Sequence, residues 1–238
     1  MDPNVPAGAA VLLDFIRKIE TGKADASSYE VVFGHNESKL PKPLTTMTVD
    51  EVIAAGPSWT RAWRSSAAGG YQFMNATLKD LKRELGLRGT QVMNPNLQDR
   101  LAYHLLKRRG YEAFMAGRIN AVEFGKRLAM EWASLPVLAT TQGQHRQVNR
   151  GQSYYAGDGL NKALTKPEDV EAVIAYAKSV EMVPPQPAPQ PAPAPSRPIP
   201  QPAPVPPVQG KDNGQAWPLV FAVLAAIAAV AIIVGVGA

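Results

Sequence analysis

Apolar side chains recur every three or four residues along most of the chain before residue 182, the spacing of one face of an α-helix. The first such run predicts a helix from about Ala9 to Glu20, ending at Gly22, a residue type that commonly terminates helices. Later runs and their capping residues predict five further helices, which begin after Thr48, at Asn75, after Asn94, after Asn120 and near Pro167.

The ends of two of these helices are predicted from individual residues. The capping box Thr48-Val-Asp-Glu51 opens a helix that is expected to stop at Gly56-Pro57, because proline lacks a backbone N–H to donate. The helix from Asn75 is expected to run to Leu85 and to turn that leucine inward.

Two stretches lack helical spacing. A short run of β-branched and aromatic residues, followed by a turn-forming cluster, predicts a small hairpin from about Tyr29 to Leu40. The segment from Gln142 to Asn161 is a long polar and glycine-rich connection, and such loops often carry function. Residues 1–181 are therefore predicted to form one α+β domain, mostly helical with a small β-hairpin lobe.

The pattern changes after residue 181. Much of the stretch 182–216 alternates proline with alanine, glutamine and valine, which favours an extended polyproline II linker; a ligand for SH3-type domains is the alternative. Residues 217–238 contain no charged side chain. As a helix they extend roughly 33 Å at ~1.5 Å per residue, enough to cross a ~30 Å hydrocarbon core. They are predicted to form one transmembrane helix that binds the protein to a lipid bilayer.

The amino-acid composition limits which partners, metals and cofactors are expected. The 25 Lys and Arg against 20 Asp and Glu suit an anionic partner, whether nucleic acid, anionic lipid or a carboxylate-bearing glycan. No dense Lys/Arg run is interleaved with aromatic residues, so specific nucleic-acid binding is not expected. The absence of cysteine excludes disulfides and Cys-ligated zinc, and the three histidines lack metal-ligand spacing. Neither a metal nor a cofactor is expected.

Glu20 is the carboxylate best placed for catalysis. It lies in the last turn of an apolar helix, where the negative end of the helix dipole and partial burial both raise a carboxyl pKa. A raised pKa is what a general acid needs to protonate a glycosidic oxygen. The alternative is a solvated glutamate at a frayed helix end.

Four short motifs carry a resemblance to a known family. They are Ile19-Glu20-Thr21-Gly22, Ala68-Gly-Gly-Tyr71-Gln72-Phe73-Met74, Trp132-Ala-Ser-Leu-Pro136 and Gly151-Gln-Ser-Tyr-Tyr155. In this order they resemble the lambda-type phage endolysins, which are peptidoglycan lytic transglycosylases of the lysozyme-like superfamily. The resemblance covers about Phe15 to Ala163. The stretch 35–57 departs from the family pattern, and residues 142–150 look like an insertion.

The resemblance implies a lysozyme-like fold, with a cleft between a hairpin lobe and a helical lobe. It implies cleavage of the β-1,4 bond between N-acetylmuramic acid and N-acetylglucosamine in peptidoglycan glycan strands. Glu20 matches the catalytic glutamate, Tyr71-Gln72 the cleft floor, and Tyr154-Tyr155 a loop that can stack on sugar rings. The substrate-binding residues expected on this basis are Gly70, Tyr71, Gln72, Ser153, Tyr154 and Tyr155.

Two of these expectations have simpler alternatives. Gly69 and Gly70 would let the backbone approach a sugar and donate hydrogen bonds to it, but they also suit an ordinary tight turn before a helix. Tyr154 and Tyr155 suit sugar stacking, but they also suit packing within their loop.

Hydrolysis and transglycosylation differ by a second carboxylate, which a hydrolase uses to activate water or as a nucleophile. Nine residues after Glu20, where many phage muramidases carry that aspartate, this chain has Tyr29. Asp25 and Glu30 are close in sequence but lie in no recognisable motif. Attack by the substrate's own muramyl 6-hydroxyl, giving a 1,6-anhydro product, is therefore favoured over a hydrolytic muramidase.

The biological setting stays open at this point. A membrane-tethered enzyme is expected to hold its head on the peptidoglycan side of a host inner membrane or a virion membrane. It could serve phage lysis, virion entry or bacterial wall remodelling. A non-catalytic wall-binding tether and a basic adaptor with a proline-rich arm are the alternatives from other classes.

Overall fold

The computed structural model describes residues 1–181, which are mostly helical. The helices are α1 Ala7–Thr21, α2 Val49–Trp63, α3 Asn75–Glu84, α4 Pro95–Arg108, α5 Tyr111–Met115, α6 Ala121–Glu131 and α7 Pro167–Glu181. Strands β1 Thr141–Gln142 and β2 Gln147–Val148 form a two-stranded antiparallel sheet, with Thr141 opposite Val148. The predicted α+β class is confirmed.

Helix α1 is the central element of the described part. It buries Leu12, Leu13 and Ile16 in the core, and it ends at Gly22, whose φ of +69° and N–H bond to Lys18 form a left-handed cap. It packs antiparallel to α7: a Cβ added at Gly8 would lie 2.5 Å from the carbonyl oxygen of Ala177. The absence of a side chain at Gly8 therefore allows the close approach of these two helices.

Helix α2 does not stop at Gly56-Pro57, so that prediction is wrong. The capping box at its start is present, with Thr48 and Glu51 bonded to each other's backbone N–H. The helix continues through Pro57 to Trp63. Proline leaves the carbonyl oxygen of Ile53 without its helical donor, and the side-chain amide of Asn75 donates to that oxygen at 2.7 Å. A distant side chain thus replaces the missing bond.

The hairpin predicted for Tyr29–Leu40 is wrong as well. This region forms short 3₁₀ turns at Ala26–Glu30, Phe33–His35 and Glu37–Lys39, and a further one follows at Leu44–Thr46. Val31 and Val32 are both buried, so they lack the alternation of a half-exposed strand. Val32 pairs with Ala68 instead of a neighbouring strand, and Gly34 and His35 have positive φ. The small sheet lies in the polar connection that was predicted to be a loop.

Helices α3, α4, α6 and α7 begin close to their predicted positions, whereas the short α5 was not predicted. Asn94 and Asn120 cap α4 and α6 by accepting hydrogen bonds from Leu97 and Glu123. Helix α3 ends one residue earlier than predicted, and Leu85 is 39% exposed instead of buried. Within residues 1–181, no helix is long and apolar enough to cross a membrane. The predicted linker 182–216 and span 217–238 lie outside the described residues.

Candidate active site

Glu20 lies in the last turn of α1, as predicted, and its side chain is partly buried. The hydroxyl of Ser134 donates a hydrogen bond to Glu20 Oε1. Ser134 comes from the segment after α6, 114 residues further along the chain. The contact therefore joins the first helix to the second half of the described residues.

The surroundings of Glu20 suit a proton donor. Burial raises the pKa of its carboxyl from 4.5 to about 7, and the hydrogen bond from Ser134 opposes this by stabilising the charged form. No charged side chain among the described residues contributes to the shift. At neutral pH the carboxyl is therefore divided between protonated and ionised forms, the state from which it can both donate and accept a proton.

The segment Trp132–Pro136, which follows α6, connects the four sequence motifs. The indole Nε1 of Trp132 donates to the carbonyl oxygen of Tyr71 at 3.3 Å. The hydroxyl of Ser153 donates to the carbonyl oxygen of Ala133 at 2.8 Å, and Pro136 pairs with Ser153. Together with the Ser134 contact to Glu20, these bonds bring the motifs that carried the family resemblance into one place.

A buried polar cluster lies under Tyr71. The Tyr71 hydroxyl donates to Asp99 Oδ1 at 2.6 Å, and the Tyr29 hydroxyl donates to the same oxygen at 2.8 Å. Burial and the Asp99 carboxylate raise the pKa of both tyrosines, so both stay protonated donors. The Arg17 guanidinium lies 4.7 Å from the Tyr29 ring centre. Tyr71 is 1% exposed and its hydroxyl is bonded to Asp99, so its side chain stabilises the buried cluster. Contact between Tyr71 and substrate stays a prediction.

The two glycines before Tyr71 already use their backbone donors. The Gly69 N–H donates to Val31 at 2.8 Å and the Gly70 N–H donates to Gln98 Oε1 at 2.9 Å. The expectation that both N–H groups bind a sugar is therefore not met in this structure. A Cβ at Gly70 would lie 2.8 Å from the Arg17 side chain, so this glycine allows close packing against α1.

Gln72 is held in an unusual backbone conformation. Its φ is +49°, a region that residues other than glycine seldom occupy. Its side-chain amide donates to the carbonyl oxygens of Gly69, at 2.8 Å, and Val31, at 3.2 Å. Such strain is often found at functional sites. Contact between Gln72 and substrate stays a prediction.

The loop residues predicted to bind sugar differ in exposure. Ser153 is 2% exposed and its hydroxyl bonds to Ala133, so it anchors the loop and is not free to bind substrate. Tyr154 and Tyr155 are partly buried, with ring centres 5.3 Å apart in an edge-on arrangement. The Tyr155 hydroxyl donates to the carbonyl oxygen of Met130 at 2.7 Å. Sugar stacking by these two rings stays a prediction.

The two other carboxylates considered for catalysis hold local structure. Asp25 caps the turn Ala26–Glu30 by accepting from the backbone and hydroxyl of Ser27, and these hydrogen bonds lower its pKa. Glu30 accepts from the backbone N–H of Thr45 at 3.1 Å and from its hydroxyl. Neither side chain bonds to Glu20 or Ser134.

Ser134, Gln98 and Asp99 were not assigned a role from the sequence. Ser134 lies inside a motif that carried the resemblance, but nothing local indicates which side chain it meets. Gln98 precedes Leu101 and Leu105 by three and seven residues, so the helical pattern does place this polar side chain on the buried face of α4. Both Gln98 and Asp99 are fully buried.

Two further features bear on binding. An open groove of about 550 Å³ lies between α1 and α7, with Phe15, Ile19 and Tyr176 among its lining residues; Glu20 does not line it. Within residues 1–181, no group of three or more His, Asp or Glu side chains is arranged to hold a metal ion.

Comparison with known proteins agrees with the assembled motifs. The family model described as endolysin matches residues 11–160, which include Glu20, the Tyr71-Gln72 turn, the segment Trp132–Pro136 and the Tyr154-Tyr155 loop. No curated protein and no solved structure gives a significant match. The chain therefore belongs to the endolysin family of phage proteins, which are enzymes that degrade bacterial peptidoglycan.

Proposed function

We propose that this protein is a peptidoglycan lytic transglycosylase in which Glu20 is the catalytic acid and base. It cleaves the β-1,4 bond between N-acetylmuramic acid and N-acetylglucosamine and leaves 1,6-anhydromuramic ends. The observation that carries the proposal is the environment of Glu20: burial raises its pKa to about 7, and no charged side chain of residues 1–181 contributes to this shift.

The reaction needs two proton transfers at the same carboxyl group. First, Glu20 gives its proton to the glycosidic oxygen, and the bond between that oxygen and muramyl C1 breaks with its electron pair leaving on the oxygen. Positive charge develops at C1. Next, the muramyl 6-hydroxyl oxygen bonds to C1 and passes its proton to the Glu20 carboxylate. Glu20 ends in its starting form and no water is consumed.

The local hydrogen bonds of Asp25 and Glu30, the two carboxylates considered for water activation, support intramolecular attack. Among the described residues, Asp25 and Glu30 are bonded to Ser27 and Thr45 and neither contributes to the pKa of Glu20. A hydrolase would need one of them, or another acid, to activate water. The 6-hydroxyl is part of the substrate, so its proximity replaces that second group. A hydrolytic muramidase is the competing mechanism.

The tether is a further part of the proposal. Residues 217–238 are long and apolar enough to cross a bilayer, and much of the stretch 182–216 is rich in proline, which favours an extended spacer. The protein is then a single-pass membrane protein whose first 181 residues face the peptidoglycan, at the host inner membrane or at a virion membrane. Lysis of the host and entry through its wall are both consistent with this arrangement.

Analysis of the products tests the mechanism. The full-length protein is incubated with purified peptidoglycan, and the soluble muropeptides are measured by mass spectrometry. Transglycosylation gives products about 18 Da lighter than hydrolysis, the mass of the water that intramolecular attack leaves out. Reducing muramic ends would assign the protein to the muramidases and make Asp25 and Glu30 the next residues to replace. No released product would indicate a wall-binding tether without activity.

A further inference from the structure

Ser134 is held firmly next to Glu20. It is 8% exposed, and its own carbonyl oxygen accepts a hydrogen bond from the N–H of Leu164 at 2.7 Å. The carbonyl of the preceding Ala133 accepts from Ser153, and the N–H of the following Leu135 donates to Trp132 at 3.0 Å. The hydroxyl that meets Glu20 is therefore carried by backbone that is fixed on both sides.

The two oxygens of the Glu20 carboxyl differ in their surroundings. Oε1 accepts the hydrogen bond from Ser134. Oε2 has no hydrogen-bond partner among the described residues, and it is not one of their fully buried unpartnered atoms. Only Oε2 is thus free to meet a substrate oxygen without first breaking a bond within the protein.

We propose that Ser134 is the positioning residue of this active site: its hydroxyl fixes Oε1 of Glu20, so that proton transfer to and from the glycan takes place at Oε2. The inference rests on the proposed catalytic role of Glu20 and adds a second residue to it. The orientation of the Glu20 carboxyl group matters because Oε2 must lie within hydrogen-bond reach of the leaving oxygen for the proton to be transferred.

This role has a signature that loss of structure alone does not produce. Ser134 donates to the ionised carboxylate and therefore lowers the pKa of Glu20, against the larger effect of burial. Removing the hydroxyl should raise that pKa further. A reaction that needs protonated Glu20 slows as the pH rises through this pKa, so the alkaline limb of the rate profile should move to higher pH.

The test compares Ser134→Ala with Ser134→Thr in the full-length protein, using kcat and KM on purified peptidoglycan from pH 5 to 9. We expect Ser134→Ala to lower kcat about tenfold with little change in KM, and to shift the alkaline limb upward. Ser134→Thr keeps a hydroxyl and should restore most of the rate and the original limb. Titration of the Glu20 carboxyl by carbon-13 NMR should show the same upward shift in pKa without relying on activity.

Thr21→Ala is the matched control. Thr21 is next to Glu20 and is buried, but its hydroxyl donates to the backbone oxygens of Arg17 and Lys23 and not to Glu20. It should lower stability without moving the limb. Wild-type kcat and pH profile in Ser134→Ala would overturn the inference, as would an unshifted Glu20 titration in a variant that folds. If Glu20→Gln stays active in the same assay, the proposed catalytic role of Glu20 fails instead.

Discussion

Replacing Glu20 with glutamine keeps the size of the side chain and its capacity for hydrogen bonds but removes the transferable proton. General acid–base catalysis is typically worth ~10²–10⁴-fold, so Glu20→Gln should lose at least 99% of the rate of peptidoglycan release. Asp25→Asn is the matched control, because Asp25 is exposed and caps a turn. If Glu20→Gln retained more than about a tenth of the wild-type rate, another residue would be the acid.

Glu20 also links folding stability to pH. Its pKa is raised from 4.5 to about 7, so the folded protein holds this proton more tightly than the unfolded chain does. The stabilising effect of this more tightly held proton is fully present below about pH 4.5, and it is lost as the pH rises to about 7. Each pKa unit corresponds to about 1.4 kcal/mol, so the free energy of unfolding should fall by roughly 3 kcal/mol over this pH range.

Glu20→Gln removes this dependence, which gives a second test. The free energy of urea unfolding should decline more steeply with pH in the wild type than in the variant between pH 4.5 and 7.5. Other titrating groups are common to both proteins and cancel in the difference. A difference that stays constant with pH would contradict a buried, high-pKa Glu20.

The sequence identified Glu20 but not its partner, and the reason is physical. The apolar helix, its last turn and Gly22 are local features, so they are visible in a short window of residues. The contact with Ser134 depends on how α1 and the segment after α6 pack, across 114 residues of chain. The same applies to Asp99, whose partners Tyr29 and Tyr71 are distant in sequence.

Helix α2 shows how one side chain supports an element from outside. Asn75→Ala removes the donor to the Ile53 carbonyl, which Pro57 leaves without a helical partner. This hydrogen bond is partly buried, and such a bond typically contributes about 0.5–1.5 kcal/mol, so urea unfolding should show a loss of about 1 kcal/mol. Asn36→Ala is the control, because Asn36 donates to the Phe33 carbonyl in an exposed turn and should change stability by less than about 0.5 kcal/mol. Equal effects in the two variants would argue against this role for Asn75.

Helices could be predicted from the sequence because their caps and apolar faces are set within a few residues. The start of α4 at Asn94-Pro95 and the end of α1 at Gly22 are of this kind. The hairpin prediction failed because Val32 pairs with Ala68 and not with a nearby strand. Long-range pairing decided the structure there, and no local pattern specifies it.

At the scale of the whole protein, removal of residues 217–238 should release it from membranes without lowering its activity on isolated walls. The tail carries no charged or ionisable side chain for a glycan site. In the proposed anchored arrangement, attachment of the full-length protein would come from burial of apolar side chains and not from charge, so it should resist high salt and carbonate.

Fractionation of cells that produce either form measures this. Full-length protein should sediment with membranes and the truncated form should stay in the supernatant, with equal rates on purified peptidoglycan. A full-length protein in the soluble fraction would overturn the anchored arrangement.

Because Ser134 lies in the segment Trp132–Pro136, its contact with Glu20 can form only after most of the described residues have been synthesised. Glu20 leaves the ribosome early, but Ser134 follows 114 residues later. At translation rates of ~5–20 residues per second, that gap is roughly 6 to 23 s. A fragment released within this interval contains Glu20 but lacks Ser134, the residue that donates a hydrogen bond to it. If Glu20 and Ser134 act as proposed, such fragments should release less product from purified peptidoglycan than the full-length protein does.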